Sequence, residues 1–230
     1  MVDNFALLIA LAIASAMLVM FIYIQRMLRN SVMDMWESDS LEAPYVYAIG
    51  LVLGAIVFSF FSLEIVDAPL RLAINVTGFL VPVTISLCIV LLRKVRAVPA
   101  VVSILLVAAV AFLATGVSGS AIVMEFPWWL APVGAAAACG YFGSKGSDLA
   151  DSAALAYLAG SIGVVIGGDI AKIPEFVGKG GDYLVLGGGG VLDFVFLMGV
   201  FSVATLWGAI GMAAYLRRRT PARSNTVREG

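Results

Sequence analysis

The chain is 230 residues long, 62% hydrophobic and 13% charged, with a formal charge of −1 and a mean hydropathy of +1.04. A soluble domain is roughly half apolar and about a quarter charged, so a cytosolic enzyme, a secreted disulfide scaffold and a disordered tail are excluded as the main body of the protein. The sequence holds no histidine, which excludes Ser-His-Asp and Cys-His catalysis, the His-Glu-x-x-His zinc site and His-ligated haem.

Crossing roughly 30 Å of hydrocarbon takes about 20 apolar residues at about 1.5 Å per helical residue. Seven stretches meet or approach that length, at about 5–24, 45–63, 72–92, 98–117, 128–143, 153–171 and 190–215. The expected fold is all-α: a polytopic transmembrane helix bundle of about seven helices, with broken or re-entrant segments near 64–82 and 172–193. One integral membrane domain is expected over 1–216, followed by a basic cytoplasmic tail over 217–230. The first stretch is not expected to be a cleavable signal peptide, because Asp3 precedes it, its apolar run is long, and Arg26 and Arg29 follow it. Residues 31–44 contain four acids with Met33, Met35 and Trp36 and read as an interfacial helix or a plain loop. Trp36, Tyr45, Trp128 and Trp129 fall at expected membrane interfaces. Gly50 with Gly54, Gly163 with Gly167, and Gly208 with Gly211 have the spacing of close helix packing. Cys88 and Cys139 lie in apolar runs, where a cysteine behaves as a small hydrophobe, so neither a disulfide nor a metal site is expected.

Lys and Arg collect on the side of the membrane that is not translocated. The connectors 25–44, 93–97 and 144–152, together with the C-terminus, hold 11 of the 14 basic residues; the others are Arg71, Lys172 and Lys179. The N-terminus is therefore expected outside and the C-terminus in the cytoplasm. The tail arginines Arg217, Arg218, Arg219, Arg223 and Arg228 read as an orientation signal, and no nucleic-acid partner is expected.

Backbone that leaves the helix at membrane depth survives only where it is buried in protein or lines a wet cavity, and ionisable groups there mark function. Two regions combine these signs. In the first, Glu64, Asp67 and Arg71 flank Pro69 and read as an interfacial ion cluster, while Asn75, Gly78 and Pro82 lie in the next apolar run. Asn75 reads as a polar packing contact or a binding residue. In the second, Asp169 closes the sixth helix with Lys172 near enough to neutralise it, Gly187, Gly188, Gly189 and Gly190 follow in succession, and Asp193 enters the seventh helix. Each glycine costs about 1 kcal/mol relative to alanine in a helix interior, so the seventh helix should begin late or be broken. A start near Gly190 places unpaired amides beside Asp193, which then caps its own helix or serves a site. The two regions share an acidic, proline-bearing connector before a glycine-bearing entry to a helix. As repeats, they would follow the pattern of secondary transporters, whose sites lie between discontinuous helices.

At these residues the chain resembles a family of archaeal and bacterial multi-pass membrane proteins known only as a domain of unknown function. The resemblance rests on an Asn-Val-x-Gly-x-x-x-Pro element at Asn75, Val76, Gly78 and Pro82, and on a Leu-Ala-Tyr-x-Ala-Gly-x-x-Gly-x-x-Ile-Gly-x-Asp run from Leu155 to Asp169. A third element comprises Gly187, Gly188, Gly190, Asp193, Phe196, Leu197 and Gly199, with Phe194 where a glycine commonly follows the aspartate. It covers about residues 45–215 and implies a prokaryotic cell membrane without implying a reaction. In layout the chain is also similar to intramembrane aspartyl proteases of the presenilin type. These carry one Asp on one helix and a second in Gly-x-Gly-Asp at the start of the next, as Asp169 and Asp193 do here. Leu192 replaces the glycine before the second aspartate, no tyrosine precedes Asp169, and no Pro-Ala-Leu element lies near the C-terminus.

Three functions stay open. One is translocation of a small solute or ion, with Asn75, Gly78, Pro82 and Gly187 to Gly190 as broken-helix walls and Asp193 as the charged group. The second is diaspartyl proteolysis, with Asp169 and Asp193 as the catalytic pair. The third is a structural or assembly role. The lipid bilayer is the expected partner, and no metal or cofactor is expected.

Overall fold

The computed structural model describes residues 58–67, 70–93, 95–118, 121–144 and 149–219. The helix expected at 5–24, most of that at 45–63, the 31–44 segment, Trp36, Tyr45, Gly50, Gly54 and the tail beyond residue 219 lie outside the described residues.

The first elements are β1 (Ser62–Val66) and β2 (Arg71–Asn75), an antiparallel pair. Ile65, Val66 and Ile74 are β-branched, and along β2 Ala73 and Asn75 are buried while Arg71 is exposed, the alternation of a strand with one covered face. A π-helical turn, Val76–Leu80, leads into α1 (Val81–Arg93), and α2 (Ala97–Ala114) follows. Next come a hairpin of β3 (Gly116–Ser118) and β4 (Ala121–Val123), then α3 (Leu130–Gly143). The helix α4 (Leu149–Val164) runs on through a π-helical turn at Val165–Asp169 and a 3-10 turn at Ile170–Lys172 into α5 (Ile173–Gly178). Strand β5 (Tyr183–Leu186), a 3-10 turn at Gly190–Leu192 and α6 (Phe194–Arg219) complete the described chain.

Among the described residues three helical stretches are long and apolar enough to cross a membrane: Ala97–Ala114, Leu149–Gly178 and Phe194–Arg217. Their packing explains their composition. In α2, Ala100, Ser103, Val107, Ala108 and Ala111 form one buried stripe, while Val101, Val102, Leu105 and Leu106 are exposed, which lipid tolerates and water would not. Helix α4 is the hub, packed against α1, α2, α3 and α6. Small residues let its neighbours approach: a Cβ on Gly167 would overlap the Ala108 carbonyl of α2, and one on Gly160 would lie 2.7 Å from the Ser202 hydroxyl of α6.

Strand order in the larger sheet is β1-β2-β5, with β5 parallel to β2 and Arg71, Leu72, Ala73 and Ile74 opposite Tyr183, Leu184, Val185 and Leu186. This pairing joins the two regions that the sequence marks separately. The contact continues past the strands, where a Cβ on Gly78 would overlap the Gly187 carbonyl and one on Gly187 would lie 2.5 Å from the Phe79 amide.

The all-helical expectation is corrected to a mostly helical chain. The segments near 64–82 and 172–193 hold strands, because two extended stretches far apart in sequence satisfy each other's backbone groups instead of closing a helix. The helix expected at 45–63 gives way to strand by Ser62, and that at 72–92 begins after β2. Gly208 and Gly211 also differ from expectation, since among the described residues nothing lies within 4 Å of a Cβ built on either.

Candidate functional site

The glycine run ends in two tight turns before α6. Gly187 and Gly190 have φ values of +72° and +60°, which L side chains rarely adopt, so the turns demand glycine at these two positions. Helix α6 starts at Phe194, later than the expected start near Gly190, because Gly190–Leu192 takes a 3-10 turn and Asp193 is extended at φ −67°, ψ 143°. Asp193 is the cap: its Oδ1 accepts from the Val195 amide at 2.9 Å and its Oδ2 from the Gly189 amide at 3.1 Å. Burial pushes the Asp193 carboxyl above the usual carboxylate range, and the two backbone amides and the positive end of the helix only partly oppose it.

Asn75 plays the matching part at the end of β2. Its Oδ1 accepts from the amides of Thr77 at 3.0 Å and Gly78 at 2.9 Å, and its Nδ2 donates to the Ser59 carbonyl at 2.7 Å and to the Ser62 hydroxyl at 3.3 Å. With its hydrogen-bonding groups used in this way and Pro82 fully buried below it, Asn75 ties β1 to the entry of α1. Two parallel strands thus each deliver a polar cap to the start of a helix.

Asp169 differs from both. It closes the π-helical turn after α4, a geometry that recurs at functional positions, and its Oδ2 is buried without a hydrogen-bond partner. The expected neutralisation by Lys172 is corrected: the Lys172 ammonium turns away to Glu175 at 3.1 Å and lies 4.1 Å from the centroid of the Phe112 ring. The expected ion cluster at Glu64, Asp67 and Arg71 is also rearranged, since Arg71 reaches Asp182 at 3.9 Å and stacks over Tyr183.

Asp169 and Asp193 line one cavity of about 360 Å³. Thr115, at the end of α2, shares it; this residue is buried at 5% exposure, and its hydroxyl has no hydrogen-bond partner. Among the described residues the lining holds two carboxylates and no lysine or arginine. Strands β4 and β5 line the cavity along their whole lengths, with Gly187, Gly188 and Gly189 beside them. Gly187 to Gly189 therefore stand with the aspartates at the cavity, whereas Asn75, Gly78, Pro82 and Gly190 are outside its lining, Gly78 being packed against the Gly187 backbone. Thr115 and the strands were missed from sequence, although Gly-Val-Ser-Gly-Ser-Ala-Ile-Val at 116–123 has the small-residue turn between β-forming residues that signals a hairpin.

A mostly helical chain with three helices of spanning length and apolarity among its described residues is compatible with an integral membrane protein, here with two acids lining one cavity where helix gives way to strand. The chain belongs to the family described as "Protein of unknown function (DUF1614)", which matches residues 24–205. No curated protein and no solved structure matches it.

Proposed function

We propose that this protein is an intramembrane aspartyl hydrolase that cleaves a peptide bond with Asp169 and Asp193. The observation that carries the reading is that Asp169 and Asp193 both line one cavity that holds no basic side chain among its described lining residues. Two carboxyl groups sharing one proton are base and acid in a single site. Asp193, whose oxygens accept from two backbone amides, serves as the base and takes a proton from water. The water oxygen bonds to the scissile carbonyl carbon as Asp169 gives its proton to the carbonyl oxygen. In the collapse a diol hydroxyl returns a proton to Asp169, Asp193 passes its proton to the amide nitrogen, and the C–N bond breaks. A carboxylic acid and an amine leave, and the pair again holds one proton.

The rest of the chain fits this reading as a domain over 1–216 of about seven helices with the N-terminus outside, a cytoplasmic tail over 217–230, and a prokaryotic cell membrane as its setting. The deciding experiment reconstitutes the full chain in vesicles with a library of single-span apolar peptides and reads products by mass spectrometry. Cleavage that is lost in both Asp169→Asn and Asp193→Asn supports the proposal. Cleavage that survives either substitution defeats it.

A second reading, translocation of a small solute or cation, is favoured by the unpartnered buried oxygens of Thr115 and Asp169, which are donors of the type a hard cation takes. Vesicles in which the wild-type chain raises cation flux and Asp169→Asn abolishes it would support that reading. Unchanged fluxes would remove it.

A further inference from the structure

A second cavity, of about 390 Å³, opens at the end of α2 and falls in the size range of small-ligand pockets, roughly 300–1,000 Å³. The end of α2, the whole of β3, Glu125 and Trp128 line it, whereas Asp169 and Asp193 line only the first cavity. Three features at its wall carry negative potential. Glu125 is exposed and forms no ion pair among the described residues, since Lys172 and Lys179 both go to Glu175 and Arg71 goes to Asp182. The Trp128 indole, 63% exposed, has no ring or cation against it among the described residues, unlike Trp129, which packs on Phe126 and Phe201. Helix α2 stops at Ala114, so the negative end of its dipole and its last carbonyls fall at Leu113 and Ala114, both in the lining. A carboxylate, an indole face and a helix C-terminus all favour a cation, and among the described residues the lining supplies no lysine or arginine.

The cavity also lies where a spanning-length helix ends. Val102, Leu106, Ala109 and Leu113 recur at helical spacing on the exposed face of α2 and make an apolar strip that leads to it. We propose that this cavity binds the ethanolamine headgroup of a zwitterionic phospholipid, its ammonium held by the Glu125 carboxylate against the Trp128 ring and an acyl chain laid along the exposed face of α2. A primary ammonium brings three N–H donors for Glu125 and the carbonyls at the helix end; the quaternary ammonium of choline brings none. Lys179 donates to the carbonyl of Val117, a lining residue, at 2.7 Å, so a positive charge also stands by the wall. A zwitterionic headgroup meets both signs, its ammonium on Glu125 and its phosphate toward Lys179.

The test applies native mass spectrometry to the full-length protein released from detergent micelles, with phosphatidylethanolamine, phosphatidylcholine and phosphatidylglycerol of identical acyl chains as probes and free ethanolamine as competitor. The wild type should bind phosphatidylethanolamine about tenfold more tightly than phosphatidylcholine, the worth of one charged hydrogen bond. Glu125→Gln, which keeps the shape and removes the charge, should bring phosphatidylethanolamine down to the phosphatidylcholine level. Trp128→Leu should weaken it several-fold. Both side chains are exposed, so both variants should unfold at the wild-type temperature before lipid is added. Equal affinity of the wild type for the ethanolamine and choline lipids overturns the site, as does a preference that persists in Glu125→Gln or tighter binding of phosphatidylglycerol. Free ethanolamine that displaces the lipid at equal concentration overturns the lipid as occupant.

Discussion

At the scale of single residues, Asp169 and Asp193 are the same side chain in two chemical situations. Asp193 has its oxygens engaged by backbone amides at a helix start, whereas Asp169 keeps one buried oxygen without a partner. Replacing them should separate structure from chemistry. Asp193→Asn keeps an oxygen for the Val195 amide, so the protein should stay folded while hydrolysis falls by about 10²–10⁴-fold. Asp193→Ala should lose activity as well and also about 1 kcal/mol of stability, the usual cost of a missing cap. Thermal unfolding in detergent micelles, run beside the cleavage assay, checks both; an alanine variant as stable as the asparagine variant would contradict the cap. Asn75→Ala should cost more, about 2 kcal/mol, because it removes four hydrogen bonds at once, two of them from the buried amides of Thr77 and Gly78. Its effect should appear in the unfolding temperature before it appears in turnover of the folded fraction.

At the scale of elements, the glycines divide by what they meet. Gly78 and Gly187 are pressed against one another's backbones, and Gly187 adds a positive φ, so Gly78→Ala and Gly187→Ala should each part the β2 and β5 entries and destabilise by more than about 1 kcal/mol. Gly208 and Gly211 have open space around them among the described residues. Gly208→Ala and Gly211→Ala should leave unfolding unchanged or raise stability by up to about 1 kcal/mol, from helix propensity alone. A marked loss would show that this face of α6 packs against something outside the described residues. The same contrast shows what could be read in advance. The apolar runs at 98–117, 128–143 and 153–171 map onto α2, α3 and α4 because a long uninterrupted apolar run decides a helix, although α3 is shorter than the three stretches of spanning length. The strands escaped, since β2 and β5 acquire their pairing from a partner more than a hundred residues away, and local periodicity carries no trace of that. The interruptions themselves were legible: proline, glycine and acid inside apolar sequence marked both regions, though not their meeting.

At the scale of the molecule, the hub position of α4 gives the cavity its frame. Its end is held by α2 through Gly163 and Gly167, and its last turn delivers Asp169 opposite the start of α6. Lys172 and Lys179 flank Glu175 beyond it, and Lys179 also donates to the Val117 carbonyl at 2.7 Å, which fastens the β3–β4 hairpin to the end of α5. Lys179→Met should therefore loosen the hairpin and lower the thermal unfolding temperature without altering the helical circular dichroism of the folded protein. An unchanged unfolding temperature would place the hairpin's hold elsewhere.

The measurement that bears most directly on the central claim is peptide-bond cleavage by the purified full-length chain in vesicles, with single-span apolar peptides as substrate and mass spectrometry as readout. The account predicts defined products that form with the wild type and vanish with Asp169→Asn and with Asp193→Asn, while both variants remain folded. Products of equal yield from either variant, or a wild type that binds the peptides and never cuts them, would contradict it.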